Sequence, residues 1–196
     1  GIRVTYVLNE RYSTTNTGYS LLLAAPAIGM ADFVKFDAGV VFDTKILRHL
    51  MDSDHPSALC IDRNAAARGN EVTVTVDENK RVTHIGQTLD AEAAMGRSIG
   101  IEKISSKTGK LIFSELECMM DNPAHTQDRC EAAYAILAGK GAVFHALDIT
   151  GLDWTQVENE EDFVSANAVF TRPFMTMSRG QQKALDDAKE RGVTPL

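Results

Sequence analysis

Phe33-Val34-Lys35-Phe36-Asp37-Ala38-Gly39-Val40-Val41-Phe42-Asp43 is the stretch on which the reading of the fold turns. Phe33 to Phe36 is a brief run of bulky side chains that suits a buried strand, Asp37-Ala38-Gly39 interrupts it, and Val40-Val41-Phe42 resumes it. Asp43 then stands where a helix N-cap belongs, because its carboxylate can accept from the first unpaired backbone N–H groups of the next turn. Ile46, Leu47, Leu50 and Met51 follow at the spacing of one helical face. A strand, a break, a second apolar run and a capped helix are the parts of an α/β layer.

Working outward, Ile2 to Leu8 alternates as a strand does, Asn9 to Gly18 is a polar loop, and a helix begins near Tyr19. Downstream, Ala58 to Ile61 reads as a strand, and Val72, Val74 and Val76 alternate with Thr73 and Thr75 to put the valines on one sheet face. The turn Asp77-Glu78-Asn79-Lys80 makes a hairpin with Val82 to Ile85. A loop, Asp90 to Arg97, precedes a strand at 98–104, and two helices follow near 107–120 and 129–138, divided by Asp121-Asn122-Pro123. Gly139-Lys140-Gly141 closes the second helix before a strand from Ala142 to Leu147. Trp154 precedes a last helix at 160–170, where Phe163, Ala166 and Phe170 are in phase.

This order predicts an α/β domain at 1–170, built on a mixed, mostly parallel sheet with helices on both faces. Residues 171–196, opened by Arg172-Pro173 and rich in charge from Asp186 to Arg191, read as a charged helical tail.

Composition narrows the partners. The chain's 196 residues are 44% hydrophobic and 24% charged, enough for a full core. A net charge of -7 and the lack of any Lys/Arg-rich run argue against nucleic acid. The longest apolar stretch, Tyr19 to Ala31, is broken by Pro26 and Gly29 and is too short for a bilayer. Cys60, Cys118 and Cys130 have no disulfide-framework spacing, and with no leader recognisable the expected compartment is the cytoplasm.

Three stretches in order carry a family resemblance. Asn9-Glu10-Arg11-Tyr12 with Thr15-Asn16-Thr17-Gly18-Tyr19-Ser20-Leu21 is similar to an "N-x-x-Y … T-N-N-x-x-S-L" loop and helix. Phe36 to Asp43 is similar to a strand whose end carries a metal-binding aspartate, and Trp154 to Phe163 is similar to "W-x-E-I-D-T-x-E-D-L". Ser98-Ile99-Gly100-Ile101 matches the strand returning beside the acceptor pocket. Together they resemble the nucleotidyltransferases that activate sugar phosphates, phosphocholine or related phospho-compounds with a nucleoside triphosphate.

That resemblance implies a nucleotide-diphospho-sugar transferase-like fold, and attack of an acceptor phosphate on an α-phosphorus with loss of pyrophosphate. It further implies a nucleotide or phosphorylated small molecule as partner, and Mg²⁺ between reacting oxygens. Carried onto this sequence, Asp37 and Glu158 are the metal candidates, while Asn16, Ser20, Glu131 and Trp154 are candidates for the nucleotide and acceptor pocket. The family's phosphate-gripping "G-x-G-x-R" turn has no counterpart in these residues and is expected upstream of Gly1, so the fold is read as truncated and as incomplete or inactive alone. Gly39 stands where the metal aspartate is expected, Gln87 where a phosphate-binding lysine is common, and Arg97 where an acidic residue is frequent. Loss of the family's central strand leaves an open sheet edge, so a homodimer through edges or helices near 98–145 is expected.

Plainer readings stand beside these. Asn16 is ordinary as a turn or capping residue, Glu131 suits the first turn of any helix, Trp154 packs well, and Asp37 and Glu158 can simply end a strand and cap a helix. A non-catalytic binding or structural oligomeric module of the same fold is the alternative function.

Overall fold

A computed structural model describes residues 2–65, 71–87 and 94–170. Its elements in chain order are α1 (Thr17–Ile28), β1 (Phe33–Phe36), β2 (Val40–Phe42), α2 (Thr44–Asp52), β3 (Ala58–Asp62), β4 (Thr73–Val76) and β5 (Val82–Gly86). There follow β6 (Gly96–Ile104), α3 (Ser106–Met120), a 3-10 turn (Pro123–His125), α4 (Cys130–Gly139), β7 (His145–Asp148), β8 (Trp154–Gln156) and α5 (Glu160–Phe170). Residues 1–156 form one unit and 157–196 another, and α5 is the described helix of the second. The proposed tail at 171–196 lies outside the described residues.

The main sheet has six strands in the order β5-β4-β6-β3-β7, with β1 also on β6. β6 is the hub. It pairs antiparallel with β3, with β1 from Phe33↔Ile104 to Phe36↔Ile101, and with β4 at Thr73↔Arg97 and Val74↔Gly96. A bridge between Arg81 and His145 ties the approach to β5 to β7. Among the described residues only β3 and β7 pair in parallel, from Ala58↔His145 to Ile61↔Asp148. The sheet is therefore mixed, as the sequence suggests, but mostly antiparallel where a mostly parallel one was expected. Parallel neighbours need long crossovers. Here β4 and β5 are joined by the turn after Asp77, whose N–H bonds Arg81 O at 2.9 Å, and both α3 and α4 fall in the single connection from β6 to β7.

Helices cover both faces. On one, α1, α3 and α4 pack over Leu59, Ile61, Val74 and Ile104, adding Ile112, Leu116, Tyr134 and Leu137. On the other, Ile46 and Leu50 of α2 bury against Ala58, Cys60, Ile99 and Ile101. Asp43 caps α2 as its sequence position suggests, its Oδ1 accepting the Lys45 N–H at 2.9 Å. The apolar stripe is narrower than read, since Met51 is exposed.

Two elements differ from the sequence reading. β2 pairs with β8 as a separate antiparallel ribbon, Val40↔Gln156 to Phe42↔Trp154, so Trp154 sits on a strand. Residues 2–8 form no strand, and Ile2, Tyr6 and Leu8 are largely exposed. Alternation supplies a face, but a strand also needs a neighbour for its N–H and C=O groups.

Candidate functional site

Lys35 shares a face of β1 with Phe33, and Glu102 shares a face of β6 with Ile104, the face that α3 and α4 cover. Strand register sets the two opposite each other. Lys35 Nζ reaches Glu102 Oε1 at 3.2 Å, Asp37 Oδ1 at 2.8 Å and Glu131 Oε1, from the first turn of α4, at 3.4 Å. Tyr134, one turn further along α4, donates its hydroxyl to Glu102 Oε2 at 3.3 Å. Glu131 Oε2 is buried without a hydrogen-bond partner.

Charge and burial compete in this network. Burial pushes the Glu102 carboxyl up to about 7; Lys35 opposes the rise, while Glu131 and Asp37 add to it. Burial alone would depress the Lys35 ammonium, but the neighbouring carboxylates, Glu102 foremost, hold it well above the ordinary lysine range. Gly100 accommodates Asp37: its φ of +75° is one that L side chains rarely adopt, and a Cβ there would strike Asp37 Oδ2. The Asp37 N–H donates to Gly100 O at 2.8 Å, fixing the end of β1 on β6.

A second group of polar side chains collects where the parallel pair ends. Asp62 closes β3 and Asp148 closes β7, so their carboxyl ends lie side by side, the place where open α/β sheets take ligands. A cleft of about 520 Å³ opens there, lined by Arg63, Asn64, Ala94, Met95, Asp148 and Thr150. The Arg63 N–H donates to Thr150 Oγ1 at 2.9 Å, the Thr150 N–H to Asp148 Oδ1 at 3.0 Å and the Asn64 N–H to Asp62 Oδ1 at 2.9 Å. Burial acts to raise the Asp148 carboxyl, but hydrogen bonds from Thr150 and the charge of Arg63 outweigh it and hold the group below its ordinary value.

Beside this cleft, Arg97 faces Asp62 in register, and its guanidinium lies 5.1 Å from the centre of the Trp154 ring. Trp154 Nε1 donates to Asp62 Oδ2 at 2.8 Å. The Arg63 side chain is 60% exposed and its Nη1 is 3.8 Å from Asp148, a loose contact that leaves donors directed to solvent. The Arg63 guanidinium and the Thr150 hydroxyl, both lining the cleft at one strand end, are donors suited to an oxyanion, while Arg97 beside them is within 3.9 Å of Glu71. A larger groove of about 780 Å³ runs along α3 and is walled by Pro56, Leu111, Leu137 and Val143. Lys107 and Lys140 line it as well, the latter paired with Glu115, but its walls are mostly apolar, whereas the smaller cleft gathers polar groups at a strand end and carries the more specific chemistry.

The residues singled out from the sequence are divided among these places. Asn16 caps α1, its Oδ1 accepting the Thr17 N–H at 2.8 Å, and Ser20 Oγ accepts from Asn9 Nδ2 at 3.0 Å. The start of α1 meets that of α4, where the Cys130 N–H donates to Thr17 Oγ1 at 3.1 Å, so Asn16 is close in the fold to Glu131. Trp154 packs with the cluster on the other face of the sheet. Gly39 lies in the turn between β1 and β2. Glu158 belongs to the second unit, where its N–H donates to Asp162 Oδ2 at 3.1 Å. Sequence reasoning missed Lys35, Glu102, Asp62 and Arg63.

The fit of Mg²⁺ can be judged at Asp37. A small divalent ion needs oxygens near 2.1 Å in octahedral array. Asp37 Oδ1 is instead held by Lys35, and the two nearest further carboxylates meet the same ammonium. Among the described residues no group of three or more His, Cys, Asp or Glu is arranged to hold a metal. The residues at Asp37 do not fit Mg²⁺, and no chemical step is routed through it. Nor, among the described residues, is any helix long and apolar enough to cross a membrane.

No protein-family model and no curated protein sequence matches the chain. Solved structures do. The inositol-1-phosphate CTP transferase from T. maritima is 15% identical with a TM-score of 0.63, over 95% of this chain and 67% of that one. The CTP:phosphocholine cytidylyltransferase from Streptococcus pneumoniae is 17% identical with a TM-score of 0.64, over 82% of this chain and 66% of that one. A UDP-glucose pyrophosphorylase complexed with UDP-glucose is 15% identical with a TM-score of 0.64, over 80% of this chain and 62% of that one. The chain thus has the fold of these nucleotidyltransferases and spans about two thirds of their length or less.

Proposed function

We propose that this chain is the acceptor-binding part of a nucleotidyltransferase, and that the cleft at the ends of β3 and β7 receives the phosphate of a phosphorylated small molecule. One observation carries the reading: on a fold shared with enzymes named for inositol 1-phosphate and phosphocholine, Arg63 and Arg97 stand at the carboxyl end of the parallel strand pair. In this reading the Arg63 guanidinium and the Thr150 hydroxyl bind the phosphate oxygens. Trp154, fixed by Asp62 and backed by Arg97, bounds the place of the organic group. The chemistry in which such a site takes part is attack of that phosphate on the α-phosphorus of a nucleoside triphosphate, releasing pyrophosphate.

Isothermal titration with phosphocholine, glucose 1-phosphate and inositol 1-phosphate, with and without CTP, UTP or GTP, tests it. Saturable binding of at least one phospho-compound that weakens in Arg63→Ala supports the reading; silence from all three refutes it. A second reading, a module that binds such a compound without turning it over, is favoured by Lys35 standing on Asp37. Pyrophosphate release on adding nucleotide and Mg²⁺ decides between the two.

We place the protein in the cytoplasm as a homodimer. Three unpaired thiols, two of them buried, support a reducing compartment. Light scattering at twice the 21.4 kDa chain mass is the expected result for the dimer.

A further inference from the structure

The buried network on the α4 side of β6 has the composition of a cation site and a cation already in it. We propose that the Lys35 ammonium is the chain's own fixed counter-cation at the end of β1, filling the space among Asp37, Glu102 and Glu131, so that Asp37 takes no divalent metal.

Geometry supports this in three ways. The carboxylate oxygens lie 2.8, 3.2 and 3.4 Å from one nitrogen, separations that suit N–H···O contacts and exceed metal–oxygen bonds by roughly an ångström. Of the three acceptors around the ammonium, Glu102 Oε1 and Glu131 Oε1 take hydrogen bonds and Asp37 Oδ1 forms an ion pair with it. The Lys35 side chain is 11% exposed and that of Glu102 is fully buried, so an ion bridging Asp37, itself 30% exposed, to Glu102 would have to displace a salt-bridged lysine.

The network is also negative in excess, since one ammonium faces three carboxyl groups and Glu131 Oε2 is left unpartnered. Glu102 answers by holding its proton more tightly. Removing the lysine side chain would therefore leave three carboxyl groups without a counter-cation, a demand that a divalent ion meets once their side chains close in on it.

The test is Mn²⁺ titration followed by electron paramagnetic resonance on the full chain, comparing wild type, Asp37→Asn, Lys35→Ala and the double variant. Wild type is expected to bind no Mn²⁺ that depends on Asp37 at millimolar ion. Lys35→Ala is expected to gain a site, with a rise in melting temperature on adding Mn²⁺, and the double variant to lose it. Wild-type Mn²⁺ binding that Asp37→Asn abolishes would overturn the proposal, as would a folded Lys35→Ala chain that gains none. Binding unchanged by Asp37→Asn lies elsewhere and leaves the wild-type expectation met. If Lys35→Ala does not fold, the comparison of wild type with Asp37→Asn decides alone.

Discussion

Replacing Glu102 with glutamine should remove a definite pH dependence from the stability of this protein. Burial raises the Glu102 carboxyl from its ordinary 4.5 to about 7. The native state therefore holds a proton that the unfolded chain gives up. Its stabilising contribution is complete below pH 4.5 and is lost as pH rises through 7. At about 1.4 kcal/mol per pH unit, the full loss is about 3 kcal/mol. The groups facing Glu102 do not obscure this. Lys35 stays charged across the window, Tyr134 and Cys130 stay neutral because burial raises both, and Asp37 and Glu131 are common to both proteins. His145, depressed by burial, gives a slope of opposite sign that cancels in the comparison.

The assay is urea unfolding at several pH values from 4 to 8 for wild type and Glu102→Gln. Wild-type stability should fall relative to the variant by about 3 kcal/mol across that range. Parallel curves, or a wild type that gains on the variant with rising pH, would show that Glu102 is ionised in the fold and refute the reasoning.

Gly100→Ala should cost about 1–3 kcal/mol by denaturation, because the left-handed backbone and the Asp37 carboxylate both exclude a Cβ. Tyr134→Phe should cost about 2 kcal/mol by denaturation, the loss of a buried hydrogen bond to a carboxyl group. Trp154→Phe should destabilise by about 1 kcal/mol, since Asp62 Oδ2 loses its indole donor.

Local signals carried much of the architecture. Asp43 with Ile46 and Leu50, the valine–threonine alternation of β4 and the hairpin to β5 are written within a few residues, and each appears as read. Strand direction was not legible, because it depends on partners far along the chain: β1 pairs with residues near 101–104, and nothing near Phe33 states that sense. The β2–β8 ribbon and the failure of residues 2–8 to form a strand have the same origin.

The sites divide likewise. The sequence offers Asp37 as a metal candidate with Glu158 and Glu131 as a pocket candidate, yet Asp37 and Glu131 both meet Lys35. A lysine within Phe33-Val34-Lys35-Phe36 and a glutamate within Ile99-Gly100-Ile101-Glu102 each demand a buried counter-charge, and that pair of demands was the signal available in the sequence. Arg63 gave none. Its role comes from the parallel register of β3 and β7, which no local pattern encodes.

The chain has a single tryptophan, so the indole N–H of Trp154 gives one recognisable cross-peak in a nitrogen–proton spectrum. Titration with phosphocholine, and with inorganic phosphate as the bare anion, reads the cleft directly. The account predicts a saturable shift of that peak which Arg97→Ala weakens; a peak that stays in place while binding is detected by calorimetry would put the ligand elsewhere and contradict it.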